Sequence, residues 1–202
     1  MISTTNVTVT EQDFGYYFNG PGNSKALIFY QGAKVDEKAY AEILFKLAEQ
    51  GIDCFVVKMP IRMAILGMNK ASKIIKRYQN TYTDWYIGGH SLGGAVAAMY
   101  AASNDDDIKG LAMLAAYSTR PLPEGMKVIS LTASNDSVLN WNKYNNYLSN
   151  LPNDYVEVNI EGGNHAQFGD YGEQTGDGVA TISLAEQHQV VINTILNEFN
   201  PN

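Results

Sequence analysis

The chain has 202 residues, 45% of them hydrophobic and 17% charged, which suits a single globular domain with a sizeable buried core. A formal net charge of -7, with no basic stripe or Lys/Arg cluster expected, argues against nucleic acid and anionic membrane surfaces as partners. The one cysteine, Cys54, excludes an internal disulfide and is expected to be a small buried core residue.

Segments typical of strands alternate with segments typical of helices, a pattern that predicts a mostly parallel sheet with helices on both faces. The predicted strands cover residues 7–10, 14–18, 26–30, 53–58, the start of 85–98, 108–115, 127–132 and 155–160. The predicted helices cover residues 36–50, 69–79, the end of 85–98, 140–148 and 181–199. The first two strands are expected to form an antiparallel pair. The result is a three-layer α/β/α sandwich.

Residues 1–202 are predicted to form one domain, because no linker, repeat or boundary interrupts the alternation. No stretch between strands is long enough to build a separate lid domain. Gly51 is expected to close the first helix, and Ser183 with Glu186 to form a capping box on the last one.

The run 85–98, Trp-Tyr-Ile-Gly-Gly-His-Ser-Leu-Gly-Gly-Ala-Val-Ala-Ala, combines an apolar strand, a turn of small residues and an alanine-rich helix. Ser91 stands at the apex between Gly89 and Gly93, the G-x-S-x-G pattern of a nucleophile elbow. The glycines leave room where the strand and helix cross tightly. The helix N-terminus favours negative charge that develops beside Ser91. The alternative is a glycine-rich turn before an ordinary helix.

A nucleophilic serine needs a base, and the base needs an acid to orient it. Of three histidines, His90 is expected to pack under the turn and His188 to lie on a solvated helix face. His165 follows the last strand, at the sheet edge where such folds place their sites. Asp136 follows the strand 127–132 and lies between Ser91 and His165 in the chain. A structural loop histidine and an ordinary turn are the alternatives.

An oxyanion hole needs two N–H donors. One is predicted to be the N–H of Leu92, the residue after the serine. The other is predicted to be the N–H of Ala33, in the loop that follows the strand 26–30, where Gly32 permits close approach.

Walls for a substrate pocket are predicted on two sides. The loop 162–178 contains six glycines and two aromatic residues, and the residues after the strand 53–58 include apolar side chains. A surface loop without substrate contact and ordinary core packing are the respective alternatives. The candidate wall residues are Gly32, Met59, Ile61, Met63, Phe168 and Tyr171.

Four stretches, 28–36, 57–60, the elbow and 161–178, resemble the α/β-hydrolase fold family over nearly the whole chain. The chain is most similar to the small lidless bacterial subgroup related to dienelactone-hydrolase-like serine hydrolases. That resemblance implies Ser91 as nucleophile, His165 as base and Asp136 as its partner. Dienelactone hydrolases proper use a cysteine where this chain has Ser91, so lactone specificity does not carry over.

The expected activity is cleavage of small or short-chain carboxylic esters through an acyl-enzyme, with no metal or organic cofactor. A thioesterase, peptidase or acyltransferase would use the same residues, and a non-catalytic ligand-binding domain is the alternative outside enzymes. No apolar stretch is long enough to span a membrane, and residues 1–5 lack the features of a signal peptide. The expected location is cytoplasmic, unless a leader has been removed. Some relatives carry an N-terminal membrane anchor. The oligomeric state is not predicted.

Overall fold

Eight strands form one sheet in the computed structural model, which describes residues 4–200. Met1 to Ser3, the start of the segment without signal-peptide features, lie outside that range. In chain order the strands are β1 (Thr8–Gln12), β2 (Gly15–Asn19), β3 (Lys25–Tyr30), β4 (Ile52–Val57), β5 (Asp84–His90), β6 (Gly110–Leu114), β7 (Lys127–Ala133) and β8 (Val156–Ile160).

The strand order across the sheet is β1-β2-β4-β3-β5-β6-β7-β8. The hairpin β1–β2 is antiparallel, as predicted, and β2 also lies antiparallel to β4. The remaining neighbours are parallel. The predicted mostly parallel sheet is therefore confirmed.

The helices are α1 (Ala41–Glu49), α2 (Lys70–Tyr78), α3 (Leu92–Ala101), α4 (Trp141–Tyr147) and α5 (Leu184–Phe199). One hydrophobic cluster packs α1 and α5 against one face of the sheet, and a second packs α2 and α3 against the other. The three-layer α/β/α sandwich is confirmed, and within residues 4–200 no segment folds into a lid over it.

The first predicted helix differs in its opening turn. Residues Glu37–Tyr40 form a 3₁₀ turn capped by the Asp36 side chain, and the α-helix begins only at Ala41. The backbone changes at Tyr40, whose side chain bonds Gly32 in the loop after β3 and His90 of β5. Gly51 closes α1 with a φ of 94°, as predicted.

At α5 the predicted capping box is present, with Ser183 and Glu186 each bonding the other's backbone N–H. The predicted solvated face for His188 is wrong. His188 is 1% exposed, and its Nδ1 lies 2.7 Å from Oε2 of Glu42 on α1. His188 shares a helical stripe with Val191 and Ile195, three and seven residues further on, so the packing of α5 on α1 buries it.

Cys54 lies in β4 and is fully buried, as predicted. Burial raises the pKa of its thiol well above the ordinary value, and the nearby carboxylate of Asp53 adds to this effect. The thiol is therefore held in its unreactive protonated form.

The positive charges are distributed unevenly. Residues 54–83 contain six lysines and arginines and no aspartate or glutamate, so this segment carries +6 while the rest of the chain carries -13. The expectation that the chain has no basic cluster is therefore wrong. The formal net charge hides the cluster because the acidic remainder outweighs it.

The strand register brings the carboxyl ends of the parallel strands to one edge of the sheet. Tyr30 at the end of β3 pairs with Gly89 of β5, and Ala133 at the end of β7 pairs with Ile160 of β8. The loops that carry the predicted site residues leave the sheet at this edge.

Candidate active site

The turn between β5 and α3 holds Ser91 in a backbone conformation that L-residues rarely adopt, with φ 54° and ψ -123°. Its N–H donates a 2.9 Å hydrogen bond to the carbonyl of Leu114 at the end of β6. A Cβ added at Gly89 would lie 2.6 Å from the carbonyl carbon of Gly93, so strand and helix cross at van der Waals contact. The turn therefore has the geometry predicted for a nucleophile elbow, and Ser91 is partly exposed at its apex.

The second glycine brings the elbow against the end of β3. A Cβ at Gly93 would overlap the carbonyl oxygens of Tyr30 and Gln31. Only glycine lets the first turn of α3 approach this loop so closely. The two segments predicted to supply the oxyanion hole are thus in direct contact.

The imidazole of His165 and the carboxylate of Asp136 are joined by a 2.7 Å hydrogen bond between Nδ1 and Oδ2. Both side chains are buried, at 2% and 3% exposure. The other oxygen of Asp136 accepts the backbone N–H groups of Val138 and Leu139, each at 2.8 Å. Because all these partners donate, the carboxylate fixes the proton of His165 on Nδ1 and leaves Nε2 able to accept one.

His90, predicted to pack under the turn, does so. Its Nδ1 lies 2.9 Å from the hydroxyl of Tyr40, and that hydroxyl accepts the N–H of Gly32, also at 2.9 Å. The Tyr40 hydroxyl thus bridges the backbone of Gly32 and the ring of His90. Burial, and then the charge on neighbouring His165, lower the pKa of His90 well below its ordinary value, so the ring is neutral.

The ring of His90 lies against the ring of His165, with centroids 4.5 Å apart. Since His90 directly precedes Ser91 in β5, this contact brings the histidine loop to the elbow. The sequence did not predict the contact, because side chains of adjacent residues in a strand point to opposite faces.

The N–H of Ala33, in the loop after β3, is free to bind a ligand. The N–H of Gly32 bonds Tyr40 and that of Lys34 bonds the carbonyl of Arg62, whereas the N–H of Ala33 has no acceptor within the described chain. Leu92 is the first residue of α3, so its N–H has no partner within the helix. The two predicted oxyanion donors are thus both unpaired, on segments that touch.

Asp177 is a residue that sequence reasoning missed. Its Oδ2 accepts the N–H of Ala166, directly after His165, at 2.8 Å. Its Oδ1 accepts the N–H of Ser137, directly after Asp136, at 3.2 Å, and that of Gly178 at 2.8 Å. One carboxylate thus clamps together the two loops that carry the histidine and the aspartate. The sequence feature that could have identified Asp177 is an acidic residue inside a glycine-rich loop.

Gln187 on α5 holds the same loop from the other side. This fully buried amide accepts the N–H of Asn164 at 3.0 Å and donates to its carbonyl at 2.9 Å. A Cβ at Gly163 would collide with the Gln187 side chain, which explains the glycine before Asn164. His165 is therefore positioned by contacts on both sides of its own backbone.

The predicted pocket-wall residues are placed differently from one another. Met59 and Phe168 are buried in the two core clusters, and Gly32 is buried beside Tyr40. Ile61 is 82% exposed, whereas Met63 is half-buried. The half-buried ring of Tyr171 lies 6.1 Å from that of His90. Ile61 and Tyr171 are the candidates with the most surface to offer a ligand.

Two cavities flank this edge of the sheet. One, of about 410 Å³, lies within the loop 162–178 and is lined by Asn164, Gln167, Asp177 and neighbouring residues. The other, of about 370 Å³, includes Met59, Ile61 and Arg62. None of Ser91, Asp136 and His165 lines either cavity. The serine therefore lies outside both cavities.

In the part of the chain that the structure describes, no three His, Cys, Asp or Glu side chains come together as a metal-binding set. Across the same residues, none of the helices has the length and apolar character needed to cross a membrane.

Comparisons with known proteins agree with this fold. A family model described as the alpha/beta hydrolase family matches residues 26–189. Est1E from Butyrivibrio proteoclasticus is similar in structure, with 14% identity and a TM-score of 0.65 over 96% of this chain and 99% of that one. Dienelactone hydrolase from Anabaena variabilis is 15% identical, with a TM-score of 0.70 over 96% and 97%. The search of curated proteins found no match.

Proposed function

The chain belongs to the alpha/beta hydrolase family, and from this premise we propose that it is a serine hydrolase that cleaves carboxylic esters. The observation that carries the proposal is the 2.7 Å bond between His165 and Asp136, beside a strained turn with Ser91 at its apex. A serine, a histidine and an acid at one sheet edge supply a nucleophile, a base and a group that orients the base.

In the proposed first step, Nε2 of His165 takes the proton of Ser91 as the serine oxygen attacks the acyl carbonyl. Asp136 holds the imidazole in the tautomer that leaves Nε2 free and stabilises the imidazolium that forms. The alcohol then leaves with the proton from His165, and an acyl-enzyme on Ser91 remains.

Charge that develops on the carbonyl oxygen is held by the N–H groups of Leu92 and Ala33. Both are unpaired in the described chain and lie on segments in mutual contact. Donors fixed in place before the reaction stabilise the transition state without reorganisation, and each contributes about 3 kcal/mol in well-studied hydrolases. Water, activated by His165, then cleaves the acyl-enzyme and restores Ser91.

The open edge favours small or short-chain esters, because within residues 4–200 no lid shields a large apolar acyl chain. Est1E, one of the structural neighbours, has been solved with ferulic acid bound. A carboxylic acid is the product class that we propose for this chain.

A thioester or an amide could be attacked by the same groups, and we rank the ester above the amide because an alcohol leaves more readily than an amine. A ligand-binding domain without turnover is the alternative outside enzymes. It gives no reason for the strained backbone of Ser91, which costs about 1–3 kcal/mol in similar cases.

The test is hydrolysis of p-nitrophenyl esters from acetate to long acyl chains, with Ser91→Ala compared with the parent. Ser103→Ala is the matched control, because Ser103 is exposed just beyond the far end of α3. We expect the turnover of the parent to decline as the acyl chain lengthens. Turnover should fall by several orders of magnitude in Ser91→Ala and should be unchanged in Ser103→Ala. Equal turnover in Ser91→Ala would overturn the proposal.

A further inference from the structure

The segment 54–83, which we call the basic segment, holds six of the chain's 14 lysines and arginines and no acidic residue. It comprises most of β4, the loop that follows, α2, and the connection to β5. The rest of the chain carries -13, so positive charge is concentrated in this stretch of the sequence. In the folded chain, Glu11, Asp36 and Glu37 line the same hollow as Lys58, Ile61 and Arg62. An uneven distribution of charge orients a molecule in the field of a charged surface.

Four lysines in this segment have no acidic partner among the described residues. The two arginines are already paired, Arg62 with Asp36 and Arg77 with Asp13, each at 2.7 Å. The four lysines are Lys58, Lys70, Lys73 and Lys76, and three of them are exposed. Lys70 is partly buried and donates to the carbonyl of Lys58 at 2.6 Å.

The same segment presents large aliphatic side chains to solvent. Ile61 is 82% exposed, Leu66 59% and Ile65 48%. In the described part of the chain these are three of the four large hydrophobic residues that are exposed, the fourth being Val179. A branched residue with positive φ is strongly disfavoured, yet Ile61 has a φ of 44° in the turn that holds its side chain outward. The fold therefore holds the Ile61 side chain outward at a cost in backbone strain.

We propose that this face binds an anionic lipid surface, with the four lysines at the headgroups and Ile61, Ile65 and Leu66 in the interfacial layer. Lysine beside exposed aliphatic residues is the composition of segments that lie in a membrane interface. Long lysine side chains can reach headgroups while the neighbouring apolar groups insert. Each lysine near an anionic bilayer strengthens binding about fivefold, from the general value per charge.

The exposed aliphatic side chains and the paired arginines favour lipid over nucleic acid as the partner. Exposed isoleucine and leucine have no counterpart on a phosphate backbone, and both arginines are engaged in ion pairs. The -13 charge of the rest of the chain disfavours a long polyanion that wraps around the molecule. A flat anionic surface with an apolar layer matches both sets of residues together.

The position of the aliphatic turn determines how the molecule would be oriented on a lipid surface. The carbonyl of Arg62 accepts the N–H of Lys34 at 2.9 Å, so the aliphatic turn is joined to the loop that carries Ala33. Lipid binding would thus bring the edge with Ser91 close to the surface. The binding itself does not depend on the proposed ester hydrolysis.

The test is co-sedimentation of the full chain with phosphatidylcholine vesicles, with and without phosphatidylglycerol. Two variants probe the face, Lys73→Glu/Lys76→Glu for charge and Ile61→Ser/Leu66→Ser for the aliphatic group. The matched control is Lys109→Glu/Lys143→Glu, two exposed lysines outside the basic segment. All variants are first checked for the parent's thermal midpoint, which surface changes should leave nearly unmoved.

We expect binding only to the vesicles that contain phosphatidylglycerol, weakened by salt. The charge variant should lose at least about 25-fold in affinity, from about fivefold for each lysine. The aliphatic variant should bind less tightly at every salt concentration, and the control should bind as the parent does. The proposal is overturned by absent vesicle binding, by equal losses in the control, or by tighter binding to duplex DNA than to vesicles.

Discussion

The hydroxyl of Tyr40 lies 2.9 Å from Nδ1 of His90 and joins two parts of the site that are 50 residues apart in the chain. On its other side it accepts the N–H of Gly32, in the loop that carries Ala33. His90 precedes Ser91 and packs against the ring of His165. One buried phenol thus fixes the loop that carries Ala33 relative to the elbow.

Replacing Tyr40 with Phe should destabilise the protein by about 2 kcal/mol or more. The change leaves the Gly32 N–H and the His90 Nδ1 buried without partners, and each such group costs about 1–3 kcal/mol. Chemical denaturation measures this free energy of unfolding. The control is Tyr117→Phe, since among residues 4–200 the Tyr117 hydroxyl makes no hydrogen bond and its ring stacks on Tyr147. Equal, small losses in both variants would contradict the assigned role.

Replacing Asp136 with Asn should lower kcat by about 10³–10⁴-fold on any ester that the parent cleaves. The amide can present its NH₂ group to Nδ1 of His165 and so select the tautomer with the proton on the wrong nitrogen. Steady-state kinetics measures the change, with Asp154→Asn as a control in the turn before β8. A loss of less than tenfold would show that the His165–Asp136 bond is not used in catalysis.

Asp177 is expected to act as a positioning residue. Asp177→Asn loses one of the two oxygens that bond Ala166 and Ser137, so both loops should loosen. We expect kcat to fall about tenfold with a much smaller change in KM, since small displacements of a catalytic group are costly. The exposed neighbour Asp170→Asn is the matched control. A rise in KM with kcat unchanged would instead place Asp177 at the substrate.

The low pKa of His90 predicts loss of stability in acid. In the unfolded chain its pKa is about 6.5, so below that pH the unfolded state binds a proton that the folded state does not. The free energy of unfolding should therefore decline as pH falls below about 6.5, by up to about 1.4 kcal/mol per pH unit from this group. His90→Asn, whose amide oxygen can still accept from Tyr40, should show a shallower decline. An equal decline in the free energy of unfolding with pH for parent and variant would contradict a neutral His90 ring in the folded protein.

The elbow was predictable because its determinants are local. Gly89, Ser91 and Gly93 are close in sequence, and each glycine is required by a contact within the turn or with the end of β3. Strand ends were also predictable from hydrophobic runs, and these placed Asp136 and His165 at one edge.

What could not be predicted depends on contacts between distant segments. The Tyr40–His90 bond and the Asp177 clamp join loops whose relative position is set only by the folded sheet. His188 was misjudged because its neighbours in sequence are polar, whereas its partner Glu42 is 146 residues away. The basic segment was missed because net charge sums over the whole chain and says nothing of where the charges lie.

The most direct test of the central claim is labelling of the folded protein with a fluorophosphonate, followed by mass spectrometry of its peptides. The account predicts one phosphonate adduct, on Ser91, that is absent in Ser91→Ala and greatly slowed in His165→Gln. Denatured parent protein should not react, because activation of the serine depends on the folded geometry. An adduct on another residue, or equal labelling of Ser91→Ala, would contradict the assignment of Ser91 as the nucleophile.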